Sequence, residues 1–242
     1  MSKKVLFIEH DHVSEGGPIW DQFIVRGFEI TRFLIVEAKN FATPNVEVAW
    51  PELIDFDVIV VMGAPWGAWE DERIGNWLLP EIALLTAAHN AGTPILGICF
   101  GGQLMARILG GSVARAPKSE LGWHVVMSDD ESLIPRGPWF QYHWDRWQLP
   151  PGATEVARSP IASQAFTYGR TLGLQFHPEI NSRVLELWLE MEGGCVEVED
   201  EGANVAILRA QTKYEEPESN KRGYDLVDNF LDRVATAPIQ AI

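Results

Sequence analysis

The chain has 242 residues, 46% of them hydrophobic and 22% charged, a composition that fits a globular protein with a substantial core. Its formal net charge of -15 speaks against nucleic acid or an anionic membrane as partner, because Lys and Arg hold both. Two cysteines, Cys99 and Cys195, make neither a disulfide framework nor a zinc-type cluster, so no metal and no cofactor are expected.

Val5 to Ile8 reads as a buried strand. Glu9 cuts the apolar run short, so it lacks the length of a signal peptide; with no spanning segment in view, a reducing cytoplasm is the expected compartment. Pro18 to about Phe28 reads as a helix, and Phe33 to Val36 as a second strand. Val58 to Met62 is apolar at every position, as a parallel strand covered by helices on both faces requires. Pro80 fits the first position of a helix closed by Gly92. Thr93 to Ile98 is a further buried strand, followed by a helix from about Gly101 to Leu109.

Beyond Gly110-Gly111 the texture changes to short β-like runs at Val113–Ala116, Gly122–Met127, Glu155–Ala157, Ala165–Tyr168 and Thr171–Phe176. Gly169-Arg170 suits a tight hairpin between the last two. Helices follow at about Ser182–Met191 and Tyr224–Val234, separated by an acidic stretch (EVEDEG) expected at the surface. Alternating strands and helices followed by β runs predict an α/β fold: an open, mostly parallel, doubly wound sheet with flanking helices and an antiparallel β extension. No repeat or linker divides it, so residues 1–242 are read as one domain.

The sharpest chemical signal is Gly97-Ile98-Cys99-Phe100-Gly101-Gly102-Gln103, between a strand and a helix. Glycines two before and two after the cysteine permit a strained turn that pushes the thiol out over the end of the sheet. Unpaired N–H groups and the dipole of the following helix favour a thiolate there. Taken alone, the motif also fits a buried cysteine in a glycine-rich turn. A thiol needs a base, and His177 ends the run Leu172–Phe176, with Pro178 holding it extended and Glu179 able to orient its ring. His-Pro-Glu alone equally fits a strand-ending turn.

Together, the Cys99 motif and Gln175-Phe176-His177-Pro178-Glu179 resemble the class I (triad) glutamine amidotransferases, with a nearer likeness to free-standing, GMP-synthase-like amidotransferase domains. The resemblance runs from about Val58 to Glu179 and implies a flavodoxin-like sheet. It implies that Cys99 attacks the carboxamide of glutamine to give a γ-glutamyl thioester and ammonia, with His177 as acid and base and Glu179 holding His177. It further implies an oxyanion hole from the backbone N–H groups of Phe100 and Ala64, each such donor being worth about 3 to 4 kcal/mol. Ala64 stands where the family usually has the second glycine of Gly-Gly-Pro, and alanine resists positive φ.

By the same resemblance Gly63 and Gln103 contact the bound glutamine. So does the stretch Tyr142-His143-Trp144-Asp145, often Ser-His-Gly-Asp in the family; Trp144 in place of glycine adds bulk beside the site. His143 is read as structural. His10-Asp11-His12 looks like a metal pair but lacks a third ligand and is read as a solvated loop near the ligand-binding edge of the sheet. Trp66 and Trp69 suit the mouth of a pocket, and no chemical role is read for Cys195.

Two enzymatic readings follow. One is a glutaminase that passes ammonia to a separate synthetase subunit, since the chain contains no P-loop and too little sequence after Glu179 for an ATP-dependent fold. The other is a self-sufficient γ-glutamyl hydrolase or peptidase acting on a larger γ-glutamyl compound. A non-catalytic domain that kept the fold is a third class, against which the intact nucleophile, base and acid argue.

Overall fold

A computed structural model describes residues 2–191 and 194–242. The parallel half of the sheet is built from β1 (Lys3–Glu9), β2 (Phe28–Leu34), β3 (Val58–Val61), β4 (Ile95–Ile98) and β9 (Thr171–Leu174). The remaining strands are β5 (Ser112–Ser128), β6 (Gly137–Gln148), β7 (Thr154–Arg158) and β8 (Ser163–Tyr168). They assemble in the order β2-β1-β3-β4-β9-β8-β7-β5-β6. Pairings from β2 to β9 are parallel, and those from β9 to β6 antiparallel, so an open parallel sheet carries an antiparallel extension.

Apolar side chains on both sides of each central strand explain why this half is doubly wound. Val5, Phe7, Val58, Val60, Leu96 and Ile98 join one core, while Leu6, Ile8, Ile59, Val61 and Ile95 join the other. Helix α1 (Gly17–Val25) covers the first face together with α6 (Val205–Asn229) and its continuation Phe230–Val234. Helices α2 (Asp71–Asn90) and α3 (Phe100–Ile108) cover the second. A third core lies beside the carboxyl edge, where α4 (Ser182–Glu190) and α5 (Gly194–Asp200) pack on Phe140 and Val13.

Several boundaries differ from the sequence reading. The second strand is Phe28–Leu34, not Phe33–Val36, because α1 stops at Val25 and the chain turns at Gly27. Helix α2 begins at Asp71, and Pro80 lies inside it rather than at its start. Ile74, Trp77, Leu78, Glu81 and Leu85 form its buried face, while Pro80 sits on the exposed face, where a missing backbone donor is cheap. The two runs Val113–Ala116 and Gly122–Met127 are parts of one long strand, β5, with a register shift between Arg115 and Glu120. The Tyr142–Asp145 stretch belongs to strand β6, and the last helix starts at Val205, well before Tyr224. The acidic stretch after Cys195 is helical through Asp200, with Val198 buried.

Candidate active site

Four strand ends meet at the carboxyl edge of the parallel half. Ile98 of β4 pairs with Leu174 of β9, so Cys99 and His177, just past those two strands, are neighbours although 78 positions separate them in sequence. Gly63 follows β3 and His10 follows β1. A cleft of about 390 Å³ opens over this edge, lined among others by Gly63, Ala64, Cys99, Gln103, Trp144 and His177.

Cys99 caps the N-terminus of α3 with φ +50° and ψ -104°, the only positive φ at a non-glycine among the described residues. Such a conformation is held only when the surroundings over-determine it. Here the chain is pinned on both sides: the Cys99 N–H donates to the Leu174 carbonyl at 2.8 Å, and the Cys99 carbonyl accepts from Gln103 N–H at 2.9 Å. The flanking glycines are required by contact. A Cβ on Gly97 would stand 2.5 Å from the Gly101 oxygen, and one on Gly101 would stand 2.1 Å from the Val61 oxygen. The first N–H groups of a helix have no intrahelical acceptor, so that of Phe100, next to the thiol, is free in this sense.

His177 is 4% exposed and donates Nδ1–H to Oε1 of Glu179 at 2.7 Å; Glu179 is itself 1% exposed. With Nδ1 fixed as a donor, Nε2 is the nitrogen left for other work, and it has no hydrogen-bond partner among the described residues. Burial opposes charge on the ring, yet Glu179 and Cys99 outweigh it and push His177 up to about 10. The ring packs edge-on against Trp188 of α4 at 4.9 Å, and its backbone N–H donates to the Phe140 carbonyl at 2.9 Å, which joins β6 to the edge. Gly63 touches both partners, since a Cβ there would lie 3.4 Å from the His177 ring and 4.0 Å from Cys99 Cβ.

The predicted site residues thus gather in one place. Ala64, Phe100, Tyr142, His143 and Trp144 line the cleft with the others, and Glu179 lies behind His177. The Sγ of Cys99 is 4.0 Å from the Tyr142 carbonyl. His143 is buried beneath the cleft, its Nδ1 donating to the Asp145 carbonyl at 3.0 Å and its Nε2 lying 3.2 Å from Glu120. Gln103 is 3% exposed, and its amide N–H groups reach the Asp145 carbonyl at 3.2 Å and Gln175 Oε1 at 3.3 Å. Trp66 and Trp69 line the cleft as expected, Trp69 donating to Asp145 Oδ2 at 2.9 Å. Cys195 donates to the Leu189 carbonyl in α4.

Sequence reasoning missed three residues. Gln175 was visible in the motif but had no role; its Nε2 lies 3.7 Å from Cys99 Sγ. Trp188 had no signal, being one apolar residue of an amphipathic helix. His10 is the correction to the loop reading: it is fully buried and Asp11 is 3% exposed, so the segment is not solvated. Asp11 accepts N–H from Val13 and Ser14 and the Ser14 hydroxyl, closing a local turn beside the cleft.

Known proteins resemble this chain in sequence and in fold. The family model described as glutamine amidotransferase class-I matches residues 22–189. The chain belongs to that family. This amidotransferase is 35% identical over 153 residues to a glutamine-hydrolyzing GMP synthase of Aeropyrum pernix, a match covering 56% of this chain and 27% of the relative. It therefore spans about a quarter of that relative's length. Against a separate, smaller subunit of the glutamine-hydrolyzing GMP synthase of Saccharolobus solfataricus, identity is 30% over 181 residues, covering 67% of this chain and 92% of the relative. The crystal structure of a glutamine amidotransferase from Thermotoga maritima superposes with a TM-score of 0.81 at 27% identity, covering 98% of this chain and all of that one. No helix among the described residues is long and apolar enough to cross a membrane.

Proposed function

We propose that this amidotransferase hydrolyses the side-chain amide of glutamine through Cys99, His177 and Glu179. The Cys99 sulfur attacks the carboxamide carbon, and the developing oxyanion is met by the N–H groups of Phe100 and Ala64. Collapse breaks the carbon–nitrogen bond as His177 Nε2 hands its proton to the leaving amine, releasing ammonia and leaving a γ-glutamyl thioester. Water then attacks the thioester, His177 takes its proton, and glutamate leaves with the thiolate restored. Glu179 keeps the imidazole in one tautomer and balances its charge.

The observation that carries this reading is the 2.7 Å bond from His177 Nδ1–H to Glu179, which leaves Nε2 for the thiol side of the ring. The likeness to a GMP synthase subunit that is a chain of its own supports delivery of the ammonia to a synthetase carried on another chain. Free thiols at Cys99 and Cys195 suit the reducing cytoplasm. The test is ammonia release from glutamine by the purified chain, with labelling of Cys99 by an electrophilic glutamine mimic. Neither turnover nor labelling, with and without a synthetase partner, would defeat the proposal.

A second reading, hydrolysis of a larger γ-glutamyl compound, is favoured by the outer cleft. Trp66, Trp69 and Trp144 line it, and Trp144 Nε1 is tied to Glu201 at 2.6 Å, giving apolar and polar surface beyond what glutamine alone would cover. A panel of γ-glutamyl amides and peptides separates the two: a higher kcat/KM for the larger compounds selects the second.

A further inference from the structure

We propose that His10 and Glu81 are positioning residues for the oxyanion hole, tethering the Gly63–Ala64 peptide so that the Ala64 N–H faces the reacting carbonyl. The inference rests on the reading of the site given above. His10 and Glu81 are both fully buried. His10 Nδ1 lies 3.0 Å from the Gly63 carbonyl oxygen, and its Nε2 lies 3.1 and 3.3 Å from the two oxygens of Glu81. A carbonyl can only accept, so Nδ1 must carry a hydrogen. The contact of Nε2 with the carboxyl group then holds one further proton between the pair, and Glu81 thereby fixes the ring form in which Nδ1 donates.

The consequence follows from peptide geometry. No peptide bond among the described residues is cis, and in a trans peptide the C=O and the next N–H point in opposite directions. Drawing the Gly63 oxygen back toward His10 therefore aims the Ala64 N–H the other way. Gly63 itself touches both His177 and Cys99. The same imidazole packs at 4.5 Å on the ring of Phe100, the residue that offers the second donor. One side chain thus touches both walls of the hole, from strand β1 and from the side away from substrate. Ala64 helps: turning the peptide over would drive its φ positive, which alanine resists.

Stability does not account for the pair. A buried ionisable pair is often no more stabilising than apolar residues of the same volume, and Trp77 and Phe100 already pack around His10. Orientation of the carbonyl is what it supplies that an apolar pair could not.

The double variant His10→Phe/Glu81→Leu removes the donor without stranding a buried carboxylate. Its kcat for amide hydrolysis is expected to fall by about tenfold to a hundredfold, with KM little changed, since the lost interaction acts on the developing oxyanion. Alkylation of Cys99 by iodoacetamide is expected to keep its rate, because displacement at a saturated carbon develops no oxyanion. Glu81→Gln, whose amide can still donate to Nε2, is expected to retain most of kcat. A crystal structure of the double variant is expected to show the Gly63 carbonyl released from its present direction. An unmoved carbonyl, an undiminished kcat, or alkylation slowed in proportion to kcat would each overturn the tether. Failure of the unaltered chain to turn over any γ-glutamyl amide overturns the reading of the site instead, and the crystallographic comparison still decides the tether.

Discussion

The backbone N–H of Cys99 donates to the carbonyl of Leu174 at 2.8 Å, so the cysteine is the last rung of the β4–β9 ladder before the chain breaks into α3. Rigid pairing on one side and a helix on the other force Cys99 to φ +50°, a conformation alanine dislikes as much as cysteine does. Cys99→Gly is therefore expected to melt above Cys99→Ala, by roughly 1 kcal/mol, despite the greater freedom of glycine in the unfolded chain. Thermal unfolding of the two inactive variants checks this. Equal or reversed melting temperatures would show that the elbow carries no strain.

The close approach of α3 to the sheet predicts a larger effect. A Cβ on Gly101 meets backbone, the Val61 oxygen at 2.1 Å, and no side-chain rotation can relieve it. Gly101→Ala is expected to cost about 3 kcal/mol or more, and to slow alkylation of Cys99 as α3 shifts off its seat. Denaturant unfolding and iodoacetamide kinetics read the two effects.

The His177 titration has a definite sign. Burial lowers it, while Glu179 and Cys99 raise it further, so its folded value of about 10 stands above the ordinary 6.5. A raised value means the folded state binds the proton more tightly. The stabilisation is complete below about pH 6.5 and is lost as pH rises through about 10. NMR of the imidazole nitrogens should place the midpoint in that upper range, and Glu179→Gln and Cys99→Ala should each move it down. A midpoint that stays put in Cys99→Ala would mean that the sulfur does not act on the ring.

Gln175 gives a test at the sulfur itself. Its Nε2 approaches Cys99 Sγ at 3.7 Å while its Oε1 accepts from Gln103. Gln175→Leu removes a donor to the sulfur, and a hydrogen bond of about 1 kcal/mol translates into a roughly fivefold slower alkylation at neutral pH. An unchanged rate would assign Gln175 solely to holding Gln103.

The parallel half of this fold was legible because its strands are apolar on both sides and the glycines around Cys99 have one strong structural meaning. Strand β6 was not: His143, Asp145 and Trp147 point inward, so polar residues occupy the buried phase of the alternation. Most of α6 was hidden for a related reason, since Thr212, Ser219 and Gly223 sit on its buried face. The motifs named Cys99, His177 and Glu179, whose side chains the fold brings to one edge. What sequence could not supply was partnership at a distance, as when His10 finds Gly63 and Glu81, 53 and 71 positions away. A short polar triplet after a strand looks solvated until the fold buries it.

Trp144 decides how far the cleft extends beyond Cys99. It meets Tyr142 edge-on at 5.2 Å, lies under the Arg115 guanidinium at 5.7 Å and donates to Glu201 at 2.6 Å, so it is held upright at the rim. Replacing it with glycine removes that wall and releases Arg115 and Glu201 without touching Cys99 or His177. If the outer cleft grips a group beyond the γ-glutamyl amide, Trp144→Gly should lower kcat/KM for larger γ-glutamyl compounds by about tenfold, the loss of one well-packed aromatic contact of roughly 1.4 kcal/mol, while glutamine hydrolysis changes little. If glutamine is the substrate and Trp144 merely narrows the entrance, the variant should instead accept larger amides better. The ratio of the two specificity constants, before and after substitution, moves in opposite directions under the two readings.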